Sequence, residues 1–214
     1  MTLEEELKEI AKITNGFKPM EHLTNSLEKE LTEKELEDLA FRLYGSEIYQ
    51  IRMVAVFLFG KRASKNHEVL NFLKKNVSKD DNWRVQEILG MAFDHFCKEI
   101  GYEEALVTIK EWLIFENSNT RRAVSEGVRI WTNRPYFKDN PESAIRLLAT
   151  LRNDDSEYVR KSCGNALRDI SKKYPEKIME ELSLWQGSKE ELQIKKIIFK
   201  NKHLGRFLNN NKKD

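Results

Sequence analysis

Apolar residues recur at three- and four-residue intervals along almost the whole chain, the period of helices with one buried face. No segment sustains the period-2 alternation of a half-buried strand, so an all-α fold is expected. The pattern predicts helices near 2–14, 20–29, 33–44, 48–63, 67–77, 82–99, 102–115, 119–132, 141–152, 156–173, 175–186 and 189–201. Thr2 with Glu5 and Thr32 with Glu35 have the spacing of capping boxes, in which hydroxyl and carboxylate satisfy each other's backbone N–H groups. Asp81 and Ser156 are candidate caps for the helices that follow them. Asn140-Pro141 and Tyr174-Pro175 mark helix starts, because proline lacks only an N–H that the first turn leaves unused. TNRPYFKDN at 132–140 is the one irregular joint, and NNNKKD at 209–214 is expected to be a disordered tail.

A longer period overlies the helical one. Ile51-Arg52, Trp83-Arg84, Thr120-Arg121 and Val159-Arg160 stand near helix starts, with arginines 32, 37 and 39 residues apart. Two helices and two turns fill that spacing, the unit of a helical solenoid. Seven residues after each pair's first member come Leu58, Gly90, Gly127 and Ala166, small in three of four cases, which lets neighbouring helices approach. The reading is one domain over 1–208, an α–α superhelix of stacked helix pairs with an acidic N-terminal cap at 1–47. Such a stack offers a concave face, not a deep pocket.

Charge sharpens that picture. Net charge is only +2, but residues 1–48 carry 12 acids and 6 bases while the rest carries 23 acids and 31 bases. A basic body behind an acidic front suits a concave basic face turned to a polyanion. No run reaches the length of a membrane span, and the acidic, amphipathic MTLEEELKEIAK does not have the character of a signal or transit peptide. Cys97 and Cys163 lie far apart inside helical patterns, which points to buried, reduced thiols and a cytoplasmic setting. His22, His67, His95 and His203 are scattered; no metal or other cofactor is expected, nor is there a phosphate loop or a nucleophile motif.

Three stretches could carry chemistry: 80–97, 118–137 and 156–175. Trp83 and Glu87 are four apart, as are Arg122 and Glu126, with Arg129 extending that side; Asn165 and Asp169 repeat the spacing, with Arg168 adjacent. Stacking would gather an indole, carboxylates and guanidinium groups on one wall. Each feature has a plainer reading. Glu and Arg four apart are commonly a solvated pair worth about 0.3–0.5 kcal/mol. Arg52, Arg84, Arg121 and Arg160 would serve as staples to an acid in the neighbouring repeat, and Trp112 and Trp185 belong to the core.

RRAVSEG with a nearby tryptophan, followed by S-x-YVRKS-x-x-N-x-L-x-D-I-x-K-x-x-P, resembles the signature of the AlkC and AlkD group of DNA alkylation repair proteins. The likeness covers roughly 48–186 and is most specific in 118–175. It implies a HEAT-like repeat fold and a glycosylase, acting as a monomer, that excises N3- or N7-alkylated purines from double-stranded DNA without metal or nucleotide. By this likeness Glu87, Glu126 and Asp169 are the candidate catalytic carboxylates, and Trp83, Arg122, Trp131, Asn165, Arg168, Arg129 and Arg160 the candidate lesion and DNA contacts. The chain departs from both patterns. Glu87 stands where the AlkD group has aspartate, Asn165 where it has a second cleft tryptophan (Trp131 could replace it from another helix), and Asn82 near where the AlkC group has an early glutamate. Two other classes of function stay open: a non-catalytic binder of branched or damaged DNA, and a protein–protein scaffold.

Overall fold

The structure is a computed structural model that describes residues 1–201 and Leu204. The tail at 209–214 and His203 lie outside the described residues. Within them the chain forms thirteen α-helices, two 3-10 turns and no strand. The helices are α1 (Leu3–Ala11), α2 (Lys18–Glu30), α3 (Glu33–Tyr44), α4 (Tyr49–Arg62), α5 (His67–Lys75), α6 (Trp83–Ile100), α7 (Leu106–Leu113), α8 (Ser118–Gly127), α9 (Pro135–Asp139), α10 (Pro141–Ala149), α11 (Glu157–Ser171), α12 (Pro175–Ser183) and α13 (Lys189–Ile198). They divide into two compact units, Met1–Gly101 and a second beginning at Tyr102.

Both capping boxes form as their spacing requires, and a third, Ser188 with Glu191, opens α13. Asp81 is not the cap of α6; Asn82 is, its side chain accepting the Arg84 N–H. The expected helix over 119–132 stops at Gly127. Ile130 then takes the left-handed conformation (φ 58°), which β-branched residues rarely adopt, and a 3-10 turn at Trp131–Asn133 leads into α9. A helix of nearly three turns and a short extra helix thus replace one long helix and a loop.

In the first unit, α4 is buried on every side from Met53 to Gly60 and packs against α1, α2, α3, α5 and α6. In the second, α11 is central, in contact with α8, α10, α12 and α13. Close helix approach occurs at two glycines. A Cβ on Gly60 would lie 2.9 Å from Ala92 Cα, and one on Gly164 would lie 3.0 Å from Ile197 Cβ. Gly164 therefore serves packing. Cys97 and Cys163 are both buried, and burial pushes the Cys163 thiol well up.

The arginine period has a concrete cause. Arg52 on α4 donates from Nε and Nη2 to the two oxygens of Asp80 at 2.8 and 3.0 Å, and from Nη1 to the carbonyls of Ser46 and Glu47. Arg121 on α8 repeats every bond: Nε and Nη2 to Asp154 at 2.6 and 2.8 Å, and Nη1 to the carbonyls of Phe115 and Glu116. Each aspartate sits two residues before the cap of the next repeat helix and accepts that cap's N–H, from Asn82 or Ser156. One fork thus ties a helix, the turn before it and the turn before its neighbour. The Asp80 and Asp154 side chains are only 4% and 5% exposed, so removing the arginine would leave a buried charge, a loss of about 3–5 kcal/mol. Arg84 differs: it lies over the rings of Trp83 and Tyr49.

Two outcomes follow. Gly60→Ala should lower stability by about 1–3 kcal/mol in urea unfolding, despite alanine's better helix propensity, because Ala92 backbone must move; equal or greater stability would contradict the close approach. For Asp80 and Asp154, burial pushes the pKa up from 3.8, but the arginine and the cap N–H outweigh it and hold both below 3.8. Groups depressed in the folded state stabilise fully above their unfolded pKa and lose that stabilisation as pH falls through the folded value. The urea midpoint should hold down to about pH 5 and fall progressively below pH 4, and Asp154→Asn should flatten that acid limb.

Candidate functional site

The charged positions singled out in 118–175 fall on α8 and α11, and equivalent residues pair across them. The hydroxyls of Ser125 and Ser162 meet at 2.7 Å in the buried seam, and Ser125 Oγ also donates to the Arg122 carbonyl at 3.0 Å. Just beyond the end of α8, Arg129 Nε donates to Asp169 Oδ2 at 3.3 Å, while its Nη1 lies 3.5 Å from Glu126 Oε2. Lys172 completes the group, 2.6 Å from Asp169 Oδ1. The separations of these pairs, 37 and 40 residues, are close to the repeat length. The two helices therefore run parallel, in register, with one charged ridge shared between them.

Burial grades that ridge. The Asp169 side chain is 11% exposed, Glu126 27% and Arg129 42%. Burial pushes the Asp169 pKa up, but the Lys172 and Arg129 hydrogen bonds outweigh it and hold the carboxyl below its ordinary 3.8. Asp169 is thus ionised near neutral pH. Arg122 is half-buried one turn before Glu126, and Asn165 half-buried one turn before Asp169, with Arg168 alongside. Among the described residues, no hydrogen bond or ion pair engages the guanidinium of Arg122 or Arg168. Both remain available to an anion.

In the first unit, Trp83 opens α6 with its indole 53% exposed. The Arg84 guanidinium lies 4.3 Å from its ring centroid and 5.3 Å from that of Tyr49. Glu87 is exposed one turn on.

The structure corrects one expectation, for Trp131, and limits another, for Arg160. Trp131 is completely buried, its ring 4.8 Å from that of Phe137, and its indole N–H has no hydrogen-bond partner. The turn through Ile130 carries it into the core, so it presents no face to a lesion and does not take the place of the tryptophan that Asn165 lacks. Arg160 commits Nε to Gln193 at 2.7 Å and Nη1 to the carbonyls of Asp154 and Asp155; it is a brace with one edge left over. Asn82, near the AlkC group's early glutamate, is occupied as a helix cap. Lys172 and the Ser125–Ser162 pair were missed, though Lys172 stands one turn after Asp169 and the two serines are 37 residues apart, close to the repeat length. No group of three or more His, Cys, Asp or Glu among the described residues could hold a metal ion.

Helix pairs braced at repeat intervals by arginine, with a ridge of charge across equivalent helices, define a HEAT-like helical-repeat protein. The chain belongs to the DNA alkylation repair enzyme family, whose profile matches residues 17–183. That match begins well upstream of the stretch that carries the motif likeness. Among solved structures, the fold is similar to AlkD2 from Streptococcus mutans, 53% identical with a TM-score of 0.88 over 91% of this chain and 94% of that one. The smu.31 protein of Streptococcus mutans UA159 is similar at 50% identity and a TM-score of 0.85, over 91% of this chain and 96% of that one. Pseudomonas fluorescens AlkC, an alkylpurine DNA glycosylase bound to DNA containing an abasic site analog, shares the fold at 24% identity and a TM-score of 0.50, over 92% of this chain and 62% of that one. A Bacillus subtilis (strain 168) protein, the uncharacterized YhaZ, is 34% identical over 90 residues, 40% of this chain and 25% of that protein.

Removing one of the two cations on Asp169 should show in its titration. In Arg129→Gln the Asp169 pKa should move upward, because burial still opposes ionisation and only Lys172 remains. Carboxyl-carbon NMR titration checks this, and an unmoved pKa would mean that the Arg129 contact carries no electrostatic weight.

Proposed function

We propose that this chain is a DNA glycosylase that hydrolyses the bond between deoxyribose and a purine made cationic by alkylation at N3 or N7, in duplex DNA and without metal or nucleotide. Its family supports repair of alkylated DNA; the chemistry rests on the ridge. The observation that carries it is the convergence of two carboxylates, Glu126 on α8 and Asp169 on the neighbouring α11, on Arg129. Two carboxylates are thereby fixed beside each other on a partly exposed surface, flanked by the unengaged guanidinium groups of Arg122 and Arg168.

An alkylated purine of this kind already carries positive charge and departs with the bonding electron pair as a neutral base. Positive charge then grows on the deoxyribose. A prepositioned carboxylate stabilises that charge more in the transition state than in the ground state. Water adds to the sugar carbon and gives its proton to a carboxylate, for which Glu126, Asp169 and Glu87 are the candidates. In the first unit, the open indole of Trp83 is a face of the kind that attracts a cationic base or sugar, a contact worth about 2 kcal/mol when desolvated. Arg122, Arg168 and, where Asp169 and Glu126 release it, Arg129 take phosphates, and Asn165 lies beside the reacting group. Phosphate contacts position the duplex without reading its sequence.

A specific observation favours a second reading, a non-catalytic binder of damaged or branched DNA. The Asp169 charge is already matched by Arg129 and Lys172, and with Trp131 in the core the second unit offers no indole beside the ridge. The two readings part in one experiment, incubation of pure protein with duplexes holding N7-methylguanine or N3-methyladenine. The glycosylase reading expects free base, with Glu126→Gln and Asp169→Asn each slowing release by about 100-fold or more. No base above the level of the Glu87→Gln, Glu126→Gln double variant would overturn it. Salt-sensitive duplex binding that survives those changes but weakens in Arg122→Gln would then select the second reading.

A further inference from the structure

The junctions between repeat helices are not alike. At the two where an arginine fork closes, the residues just before the next cap are Asp80-Asp81 and Asp154-Asp155, and each pair of acids takes a guanidinium. At the last junction, before Ser188, the corresponding residues are Gln186-Gly187. Arg160 holds the same two backbone carbonyls as its counterparts, but its Nε turns to the neutral amide of Gln193 on α13. Arg52 and Arg121 each meet two carboxylates, whereas Arg160 meets an amide.

Arg160 faces an open groove between α11 and α13, about 560 Å³ in volume, lined by Glu157, Arg160, Lys189, Leu192, Gln193 and Lys196. The one acid there, Glu157, is paired first with Lys161 at 2.8 Å, and more weakly attracted by Arg160 and hydrogen-bonded by Gln193, which together lower its pKa. Among the described residues no carboxylate forms an ion pair with Arg160, Lys189 or Lys196. Lys189 and Lys196 are two helical turns apart, about 10 Å along α13, near the rise of three nucleotides at about 3.4 Å each. Leu192 between them is 49% exposed, apolar surface of the kind a sugar edge can cover.

We infer that the α11–α13 groove is a contact for the phosphodiester backbone of duplex DNA, made by Lys189, Lys196 and the free edge of Arg160, and that it arises because Gln186 and Gly187 stand where the other staples have two acids. The inference rests on DNA being the partner, as proposed above, and adds a region outside the carboxylate ridge. The groove contributes affinity without sequence preference, through counterion release.

The test is anisotropy of a labelled, undamaged duplex with the full chain across about 50–200 mM salt. Lys189→Gln with Lys196→Gln, both on the surface, should weaken binding by about 10-fold or more and reduce the salt slope by about two. Gln193→Glu, which restores a carboxylate beside Arg160, should weaken it by about 3- to 10-fold and reduce the slope by about one, with thermal stability kept. Lys34→Gln, in the acidic N-terminal part, should change neither. Unchanged affinity and slope in the groove variants would overturn the inference, as would wild type that binds no duplex at low salt. Base release measured in parallel separates the two claims. Groove-dependent binding without excision defeats the glycosylase and leaves the groove standing; excision with groove-independent binding does the reverse.

Discussion

A buried two-pronged contact between arginine and aspartate organises this fold. Helix pairs could slide on one another at little loss, since apolar burial has no direction. The fork of Arg52 or Arg121 cannot slide, because five donors in a plane must meet two carboxylate oxygens and two carbonyls at once. Desolvating the pair is costly, so its net contribution to stability is modest, while its absence from either side would be severe. Its main effect is to set register. The aspartate also accepts the N–H of the next cap, so one residue fixes both where a helix begins and how it sits against its neighbour.

The charged ridge inherits that register. Ser125 meets Ser162 and Arg129 meets Asp169 because the fork at Arg121 has already aligned α8 and α11. Burial would by itself keep Asp169 neutral to a higher pH; two cations reverse this, so a mostly shielded carboxylate stays charged. Shielded, charged and fixed is the state in which a carboxylate does most for a developing cation. The same two cations compete with that cation, and for this reason the ridge supports both a catalytic and a purely binding reading.

Most of the fold could be read from the sequence, because helical periodicity, prolines and capping boxes all act locally. The repeat was visible through its arginines, since a staple needs the same residue at the same place in every unit. Reading failed where a distant contact decided. Nothing near Val128 announces that the helix will end at Gly127 or that Ile130 will turn left-handed, so Trp131 looked available when the core had taken it. The close approaches at Gly60 and Gly164 were not legible either, since they are set by which neighbouring atom lies opposite. Arg122, Glu126 and Asp169 were legible as a spacing; that Arg129 reaches Asp169 was not, because that contact depends on register between helices, while Lys172 is a local neighbour one turn on.

The staple is most directly tested by a double-mutant cycle on Arg121 and Asp154, using Arg121→Gln, Asp154→Asn and the pair together in urea unfolding. If the fork holds the register, the coupling energy should reach about 2 kcal/mol or more, the double variant being far less damaged than the sum of the singles. A coupling below about 0.5 kcal/mol, with the two losses simply adding, would contradict the account.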